Sequence, residues 1–177
     1  MYSKNEIKKR MKEVKLLLLD VDGVLTDGTI TYNAKGQEIK SFSVKDGLGL
    51  RLLMDAGIQV GIITGRSSEA LAARCKNLGI DLLFDGIKDK VKALETILKE
   101  TGIKAAQTAF AGDDLPDICV MKRVGLAIAV SDASPDIMGF AHIITSKKGG
   151  QGAIREVCEN ILKAKGLWND ICLGFSQ

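Results

Sequence analysis

Short, largely apolar runs, each followed by polar residues or glycine, are the feature that most constrains this chain. They cover residues 16–19, 60–63, 108–111, 126–130 and 143–144. A strand that is apolar at successive positions is buried on both faces, as in a parallel sheet. Because the carboxyl ends of parallel strands meet at one edge, we expect the polar residues after several of these runs to form a ligand site there.

Amphipathic helical patterns lie between these runs. They cover residues 71–78, 91–98 and 153–165, where apolar residues recur at intervals of three or four. Gly79 and Gly102 are predicted to end the first two helices, and Asp89 is predicted to cap the start of the second. The alternation predicts an α/β fold with a three-layer, doubly wound, mostly parallel Rossmann-like sheet.

Residues 29–44 interrupt this alternation. They predict a β-hairpin that is inserted after the first strand and turns around residues 33–36. Ile39 and Phe42 are three residues apart, and this uneven spacing indicates a β-bulge in the second strand of the hairpin.

The length of 177 residues predicts a single domain over residues 1–177. Only two prolines and no polar linker are present, so the sequence offers no boundary for a second domain. Residues 166–177 form a C-terminal tail, which Trp168 and Phe175 make apolar enough to dock. The tail could pack on its own subunit or reach toward a neighbouring one.

Charge and aromatic content argue against a nucleic-acid partner. The formal net charge is +3 and aromatic residues make up 5% of the chain, so we expect neither a strongly basic nor a base-stacking surface. No run reaches the roughly 18 apolar residues of a membrane span. The basic start followed by leucines resembles a signal peptide, but Asp20 and Asp22 interrupt the apolar run and no small-residue cleavage site follows.

The cysteines and the single histidine further narrow the possible chemistry. The four cysteines, none in a C-x-x-C pair, are Cys75, Cys119, Cys158 and Cys172. We interpret them as small core residues of a reducing, cytoplasmic environment. His142 lies in an apolar stretch and is predicted to be a strand residue. A structural zinc site and Ser-His-Asp hydrolysis are therefore disfavoured.

An acidic segment directly follows the four leucines at 16–19. Asp20 is predicted to end this buried strand, Asp22 follows two residues later, and Gly23 allows the backbone to turn. A calcium-binding EF-hand is excluded, because Val24 and Leu25 occupy positions that need an Asx residue and a glycine. A carboxylate at the end of a buried strand is costly unless it is paired or bound to a metal.

Three further groups are predicted to lie near this acidic segment. Asp113 belongs to a second acidic cluster at residues 112–117, Thr64 follows another strand, and Lys90 lies at a helix start. Carboxylates and carbonyls suit Mg²⁺, which also binds phosphate oxygens. The set therefore combines a nucleophile, a cation site and donors for a phosphoryl group.

In this order, the acidic pair, the threonine, the lysine and the second acidic cluster resemble the motifs of the haloacid dehalogenase superfamily of phosphohydrolases. Further segments resemble one of its subfamilies, the phosphatases of 3-deoxy-D-manno-octulosonate 8-phosphate (Kdo8P), over nearly the whole chain. These segments are residues 20–28, 42–47, 63–66, 112–115 and 149–156. The resemblance implies a capless fold and a homotetramer in which the hairpins assemble and a neighbouring subunit closes each active site.

The resemblance also implies a role for each acid. Asp20 would be the nucleophile that forms an aspartyl-phosphate. Asp22 would protonate the leaving oxygen and then act as base on the hydrolytic water. Mg²⁺ would be held by Asp20, the main-chain carbonyl of Asp22, and Asp113. Asp114 and Asp117 would lie behind these ligands, or Asp117 would bind the metal through water; Asp117 as a helix-start charge is the alternative.

Thr64 and Lys90 would hold the phosphoryl oxygens, again by resemblance. Thr64 has an alternative interpretation as a helix N-cap, because the residues after it also begin a helix. Lys90 has competitors on the same segment, since Lys88 and Lys92 offer the same ammonium group.

Gly65 and Arg66 are the first candidates for recognising a sugar acid, and Arg66 would form an ion pair with the substrate carboxylate. Related phosphatases for nine-carbon keto-deoxy sugar acids tend to carry an acid at this place, so Arg66 favours the eight-carbon substrate. Lys45 and Asp46 could also face the ligand, or they could lie at a solvated hairpin end. Arg155 could lie near the site or on a helix surface.

Four hypotheses compete at this point. The first is a Mg²⁺-dependent Kdo8P phosphatase in lipopolysaccharide precursor synthesis. The second is a phosphatase for a nine-carbon sugar acid 9-phosphate or for many sugar phosphates. The third is a catalytically silent module that binds a sugar or organises an oligomer. The fourth, a phosphomutase, needs a cap that excludes water, and the short insert argues against it.

Overall fold

A six-stranded parallel sheet is the centre of the computed structural model, which describes residues 2–176. The strands are β1 (Leu16–Leu19), β2 (Thr31–Tyr32), β3 (Glu38–Ile39), β4 (Gln59–Ile63), β5 (Leu82–Phe84), β6 (Thr108–Gly112), β7 (Leu126–Ala129) and β8 (Ile143–Ile144). The order in the main sheet is β5-β4-β1-β6-β7-β8, and every neighbouring pair is parallel. The predicted sheet is confirmed. The sequence analysis missed β5, a three-residue strand at the sheet edge that is only half-buried.

Helices cover both faces of this sheet. They are α1 (Lys4–Glu13), α2 (Val44–Asp55), α3 (Glu69–Leu78), α4 (Lys90–Thr101), α5 (Ile118–Met121), α6 (Pro135–Met138), α7 (Ala153–Lys165) and α8 (Trp168–Gly174). Helices α1 and α2 pack on α7, whereas α4 packs on α5. Because crossovers between parallel strands are right-handed, connections that run toward opposite sides of β1 lie on opposite faces of the sheet, which gives the three predicted layers.

The three predicted helices correspond to α3, α4 and α7. Asp89 caps α4 through the amides of Val91 and Lys92, and Gly79 and Gly102 end α3 and α4 in the left-handed conformation. Two longer helices escaped the sequence analysis. Helix α1 is highly charged and buries no side chain, although Ser3 and Glu6 form a capping box.

Helix α2 was missed for a different reason. Its glycines lower helix propensity and look like turn residues. At Gly49, a Cβ would lie 3.1 Å from the Cα of Arg155, so the glycine allows α2 to pack closely against α7. Tertiary packing therefore outweighs the local preference.

The central position of β1 determines where the acidic segment lies. All four leucines of β1 are fully buried, and β1 pairs with β4 on one side and β6 on the other. Leu19 is level with Ile62 of β4 and Ala111 of β6. The carboxyl ends of all three strands therefore meet at one edge of the sheet.

The hairpin between β1 and α2 is shorter than predicted. Tyr32 of β2 is opposite Glu38 of β3, and the amide of Asn33 donates to the carbonyl of Gln37 to close the turn, at 3.0 Å. β3 ends at Ile39 and α2 begins at Val44. The uneven spacing toward Phe42 therefore marks the end of the strand, and the expected bulge is wrong.

The tail docks on its own subunit through its first turn. Trp168 packs against the core, and its ring lies 5.4 Å from the guanidinium carbon of Arg155 and 5.2 Å from the ammonium of Lys163. Phe175 is 71% exposed. No helix within residues 2–176 has the length and apolarity that crossing a bilayer requires.

His142 and the cysteines have structural surroundings. His142 lies just before β8 rather than in a strand, which corrects the prediction, and its Nδ1 accepts the amide hydrogen of Ala127 at 2.8 Å. All four cysteines are free thiols. Cys75 and Cys158 are buried as predicted, whereas Cys119 is half-buried and Cys172 is exposed, so the core interpretation is wrong for the last.

Candidate active site

Three carboxylates converge at the carboxyl ends of β1 and β6. Asp20, Asp113 and Asp117 each offer one oxygen, and these oxygens lie within 4.8 Å of one another. Gly23 lets the loop after β1 pass directly over this cluster, because its φ is +88° and a Cβ there would lie 2.0 Å from Oδ2 of Asp113. The two acidic segments of the sequence therefore form one cluster.

A buried lysine joins two of these carboxylates. Nζ of Lys90 donates to Oδ1 of Asp20 at 2.9 Å and to Oδ1 of Asp117 at 2.7 Å. Burial by itself would lower the pKa of Lys90, but the two carboxylates raise it above its usual value. Lys88 and Lys92 are exposed, so among the three candidate lysines it is Lys90 that joins the cluster.

Asp117 supports the cluster from behind. Its Oδ2 accepts the amide hydrogens of Asp113 at 2.9 Å and of Asp114 at 3.4 Å, while its Oδ1 holds Lys90. Asp117 is 1% exposed, whereas Asp114 is exposed. Both oxygens of Asp117 are therefore occupied by the protein itself.

Asp20, Asp113 and Asp117 together carry more negative charge than the single ammonium group of Lys90 neutralises. Burial raises the pKa of Asp20 to about 6, against the attraction of Lys90. Burial, together with repulsion from Asp20 and Asp117, raises the pKa of Asp113 to about 7. Among the residues that the structure describes, none donates a hydrogen bond to the carboxylate of Asp113.

This donor set fits a hard divalent cation. Asp20 and Asp113 supply carboxylate oxygens, and the carbonyl of Asp22, two residues after Asp20, accepts no hydrogen bond from residues 2–176. Oxygen ligands of this kind suit Mg²⁺. A cation here would stabilise the charged forms of both carboxylates, whose pKa values burial and neighbouring negative charge raise.

Thr64 lies at the end of β4, next to β1. It is 2% exposed, its amide donates to the carbonyl of Phe84 at 2.9 Å, and its carbonyl accepts from Ile87 at 3.0 Å. These bonds fix the Thr64 backbone between β5 and the loop before α4. Gly65 follows it directly, and Arg66 comes next.

Asp22 lies outside the carboxylate cluster, in a group of four alternating charges. Its Oδ1 is paired with Lys40, and its Oδ2 lies 3.6 Å from Nε of Arg66. Glu38 bridges the same two cations, through Oε1 to Lys40 and through Oε2 to Arg66. We call Asp22, Lys40, Glu38 and Arg66 the charge ring.

Two members of the charge ring, Glu38 and Lys40, were not predicted from the sequence. Their alternate positions on the hairpin, with Ile39 between them, were the available signal, because residues two apart on a strand share a face. Arg66, the candidate for a substrate carboxylate, already pairs with Glu38, and the Tyr32 hydroxyl lies 3.4 Å from it. Its side chain is nevertheless 41% exposed.

The predicted substrate contact of Asp46 does not agree with its position. Asp46 is 1% exposed, and its carboxylate accepts the amide hydrogens of Arg155 at 2.7 Å and Gly152 at 3.3 Å. It therefore caps the start of α7, where orphan amides and the helix dipole favour an anion. Burial raises the pKa of Asp46, although these hydrogen bonds oppose the shift.

The other two candidates lie on helix surfaces. Nε of Arg155 donates to Glu159 at 2.7 Å, one turn along α7, and its guanidinium lies over Trp168. Of the two predicted positions for Arg155, near the site or on a helix surface, the structure shows the helix surface. Lys45 is exposed in the first turn of α2.

The glycines at 149 and 150 support the loop that carries Asp22. The amide of Gly150 donates to the carbonyl of Val24 at 3.0 Å, and the amide of Gly149 donates to Oδ1 of Asp132 at 3.0 Å. A Cβ at Gly149 would lie 1.7 Å from the carbonyl oxygen of Gly23. Only a residue without a side chain allows this contact between backbones.

We expect Gly149→Ala to lower the free energy of unfolding by about 1–3 kcal/mol, because a methyl group would push two backbone segments apart. Urea denaturation measures the change. Gly139→Ala is the matched control, since a Cβ there has no neighbour within 4 Å and φ is −67°. Equal stability of the two variants would contradict the proposed contact.

Comparison with known proteins relates this site to a family. Residues 83–157 match the family model for haloacid dehalogenase-like hydrolases. The chain is 44% identical to the 3-deoxy-D-manno-octulosonate 8-phosphate phosphatase of Yersinia pestis, over 91% of this chain and 86% of that protein.

Solved structures agree with the sequence match. One is the 3-deoxy-D-manno-octulosonate 8-phosphate phosphatase of Moraxella catarrhalis in complex with a magnesium ion, a phosphate ion and a KDO molecule. It has a TM-score of 0.95 and 44% identity, over 98% of this chain and 99% of that one. The cobalt-bound deoxy-D-mannose-octulosonate 8-phosphate phosphatase of Haemophilus influenzae has a TM-score of 0.90 and 42% identity, over 95% and 99%. The chain therefore belongs to the haloacid dehalogenase-like hydrolases and, within them, to the family of 3-deoxy-D-manno-octulosonate 8-phosphate phosphatases.

Proposed function

We propose that this chain is a Mg²⁺-dependent phosphatase that hydrolyses Kdo8P to Kdo and phosphate, as a step of lipopolysaccharide precursor synthesis. The observation that carries the proposal is the cluster of Asp20, Asp113 and Lys90 at the carboxyl ends of β1 and β6. The cluster occurs in a chain that resembles, over 98% of its length, a phosphatase crystallised with magnesium, phosphate and KDO.

Asp20 is the nucleophile in this proposal. One of its carboxylate oxygens is held by Lys90 and would be shared with Mg²⁺, which leaves the other to attack phosphorus in line with the leaving oxygen. The bond from Asp20 to phosphorus forms as the bond from phosphorus to the sugar oxygen breaks, which gives an aspartyl-phosphate. Water then attacks this phosphorus and releases phosphate, and the Asp20 carboxylate is restored.

Asp22 transfers the protons in both steps. It donates a proton to the departing sugar oxygen and later takes one from the attacking water. Lys90 and Thr64 orient the phosphoryl oxygens. Mg²⁺, held by Asp20, Asp113 and the carbonyl of Asp22, supplies positive charge against the phosphoryl oxygens when it is bound.

We expect 5 mM Mg²⁺ at pH 8 to raise Tm by about 5–10 °C, if this concentration is near 100 times Kd. We expect Asp113→Asn to lose this shift. Because the pKa of Asp113 is raised to about 7 in the folded protein, its ionisation lowers stability progressively from about pH 4 to about pH 7, and the full cost is present at pH 8. The metal-free variant is therefore expected to have a Tm at least as high as that of the wild type.

The control for this prediction is Asp114→Asn, which changes the neighbouring exposed acid. It is expected to keep most of the Mg²⁺-dependent shift in differential scanning fluorimetry. A shift of wild-type size in Asp113→Asn would contradict the role of Asp113 as a ligand.

Gly65 and Arg66 form the proposed contact with the sugar acid. The exposed guanidinium of Arg66 can pair with a carboxylate, and a glycine before it leaves room for the substrate. Lys45, exposed at the start of α2, is a second cation for this contact. The eight-carbon acid is therefore the proposed substrate.

A homotetramer whose subunits close one another's active sites is part of the same proposal. Its support is an exposed apolar surface on the hairpin and the start of α2. The residues are Ile30, Tyr32, Ile39, Val44 and Leu48.

We expect light scattering to give four times the chain mass of 19.0 kDa. Ile39→Lys is expected to dissociate the assembly, because it places a charge in the apolar interface. Ile144→Lys, at an equally exposed position on β8, is the control. A monomeric wild type would contradict the proposal.

We further propose a cytoplasmic location, which the four free thiols support.

Phosphate release from a substrate panel tests the proposed function. The panel contains Kdo8P, a nine-carbon keto-deoxy sugar acid 9-phosphate, hexose phosphates and p-nitrophenyl phosphate, each with Mg²⁺ and with EDTA. We expect kcat/KM for Kdo8P to exceed the others by at least about tenfold and to vanish with EDTA.

Two results would overturn the proposal in different ways. Preference for the nine-carbon acid would keep the mechanism and change the substrate. Absence of turnover by folded protein with Mg²⁺ would favour a silent sugar-binding or oligomer-organising module.

A further inference from the structure

The charge ring links the hairpin to the loop after β1 and to the loop after β4. Lys40 contacts Asp22 and Glu38, and Arg66 contacts the same two acids from the other side. Two carboxyl groups and two cationic groups alternate around the ring. The ring contains Asp22 but none of the three carboxylates of the Asp20, Asp113 and Asp117 cluster.

The two cations of the ring have different surroundings. The side chain of Lys40 is 3% exposed, whereas that of Arg66 is 41% exposed. Lys40 approaches Asp22 more closely than Arg66 does, because Nε of Arg66 remains 3.6 Å away.

Glu38 restrains Lys40 from the hairpin. Its Oε1 lies 2.7 Å from Nζ of Lys40, and its side chain is 12% exposed. A lysine side chain with several rotatable bonds loses much of its freedom when two acids hold its ammonium group. The position of the hairpin therefore determines where the ammonium meets Asp22.

We propose that Lys40 is a positioning residue that aims the carboxylate of Asp22 at the leaving oxygen, with Glu38 holding Lys40 in place. The inference rests on the proposed function, in which Asp22 is the proton donor. Lys40 does not touch the phosphoryl group in this proposal. Its effect passes through the rotamer of Asp22, since proton transfer requires the donor within hydrogen-bond reach of the leaving oxygen.

This role predicts a dependence on the leaving group. A sugar alkoxide must receive a proton as it departs, whereas p-nitrophenolate leaves readily without one. Because kcat/KM reports steps up to the first irreversible one, it isolates the transfer to Asp20 from the later hydrolysis. A misplaced Asp22 should therefore slow cleavage of the sugar phosphate more than cleavage of p-nitrophenyl phosphate.

The experiment measures kcat/KM for Kdo8P and for p-nitrophenyl phosphate in Lys40→Met, Lys40→Arg and Lys35→Met. Lys35 is exposed at the hairpin turn and is the matched control. We expect Lys40→Met to lose about 10–100-fold on Kdo8P and less than about threefold on p-nitrophenyl phosphate. Lys40→Arg should recover most of the loss, and Lys35→Met should behave as the wild type.

A buried acid pair without its lysine could destabilise the fold, so a second variant removes one acid as well. The double variant Glu38→Gln with Lys40→Met also removes the negative charge of Glu38, so that Asp22 is the one acid left without its lysine partner. It should show the same selective loss of kcat/KM on Kdo8P. The inhibition constant of inorganic phosphate serves as a binding readout and should stay within about twofold of the wild type, because Lys40 positions a proton donor and not the phosphoryl group.

Equal losses on both substrates, or wild-type kcat/KM for Kdo8P in folded Lys40→Met, would overturn the positioning role. Asp22→Asn in the same assay separates the role of Lys40 from that of Asp22. If Asp22→Asn selectively loses activity on Kdo8P and Lys40→Met does not, only the positioning role of Lys40 is wrong. If Asp22→Asn shows no selectivity, the assignment of Asp22 as proton donor in the proposed function fails as well.

Discussion

Asp20→Asn is expected to lower kcat by at least about 10⁴-fold, because the amide cannot form the aspartyl-phosphate and nothing else in the cluster replaces it. The fold should persist. Lys90 keeps its 2.7 Å contact with Asp117, and the lost carboxylate is one whose pKa burial raises to about 6. Steady-state phosphate release measures the activity, and thermal unfolding measures the fold.

The control for this prediction is Asp27→Asn, which changes an exposed acid in the same loop. Oδ1 of Asp27 accepts the amide hydrogen of Thr29, and an asparagine oxygen can accept it equally well. The control is therefore expected to keep wild-type kcat. Residual turnover above a few per cent in Asp20→Asn would show that another group attacks phosphorus.

Lys90→Met is expected to have two effects, one on rate and one on stability. Loss of a preorganised cation beside the phosphoryl group should lower kcat by about 10²–10³-fold. Loss of the cation also leaves Asp20 and Asp117 buried without their partner, which should lower the free energy of unfolding by about 3 kcal/mol in metal-free protein. Urea denaturation in EDTA measures the second effect.

Two further variants separate these effects. Lys92→Met, on the same helix but with a side chain that is 82% exposed, should change neither quantity. Adding Asp117→Asn to Lys90→Met removes one unpaired charge and should restore part of the stability without restoring kcat. A single variant Lys90→Met with wild-type stability would contradict the charge balance described for the cluster.

Local patterns were sufficient to predict the sheet and the acidic edge. Four apolar residues followed by Asp20 predict a buried strand ending in a polar site, because burial on both faces requires apolar residues at successive positions. Helices α3 and α4 were predicted because their apolar repeats and end signals agree, and α7 was predicted from its apolar repeat alone. Helix α2 was not, because its glycines serve a contact with α7 that no local pattern reports.

The amino-acid sequence by itself therefore determined the α/β class, the positions of the buried strands along the chain and the acids that follow β1 and β6. The tertiary structure decided which side chains meet there. It selected Lys90 over Lys88 and Lys92, and it paired Asp22 with Lys40 across 18 positions of sequence. It also placed the carboxylate of Asp46 at the start of α7. The physical reason is that periodicity reports which face of an element is buried, whereas an ion pair depends on distances between elements that only packing sets.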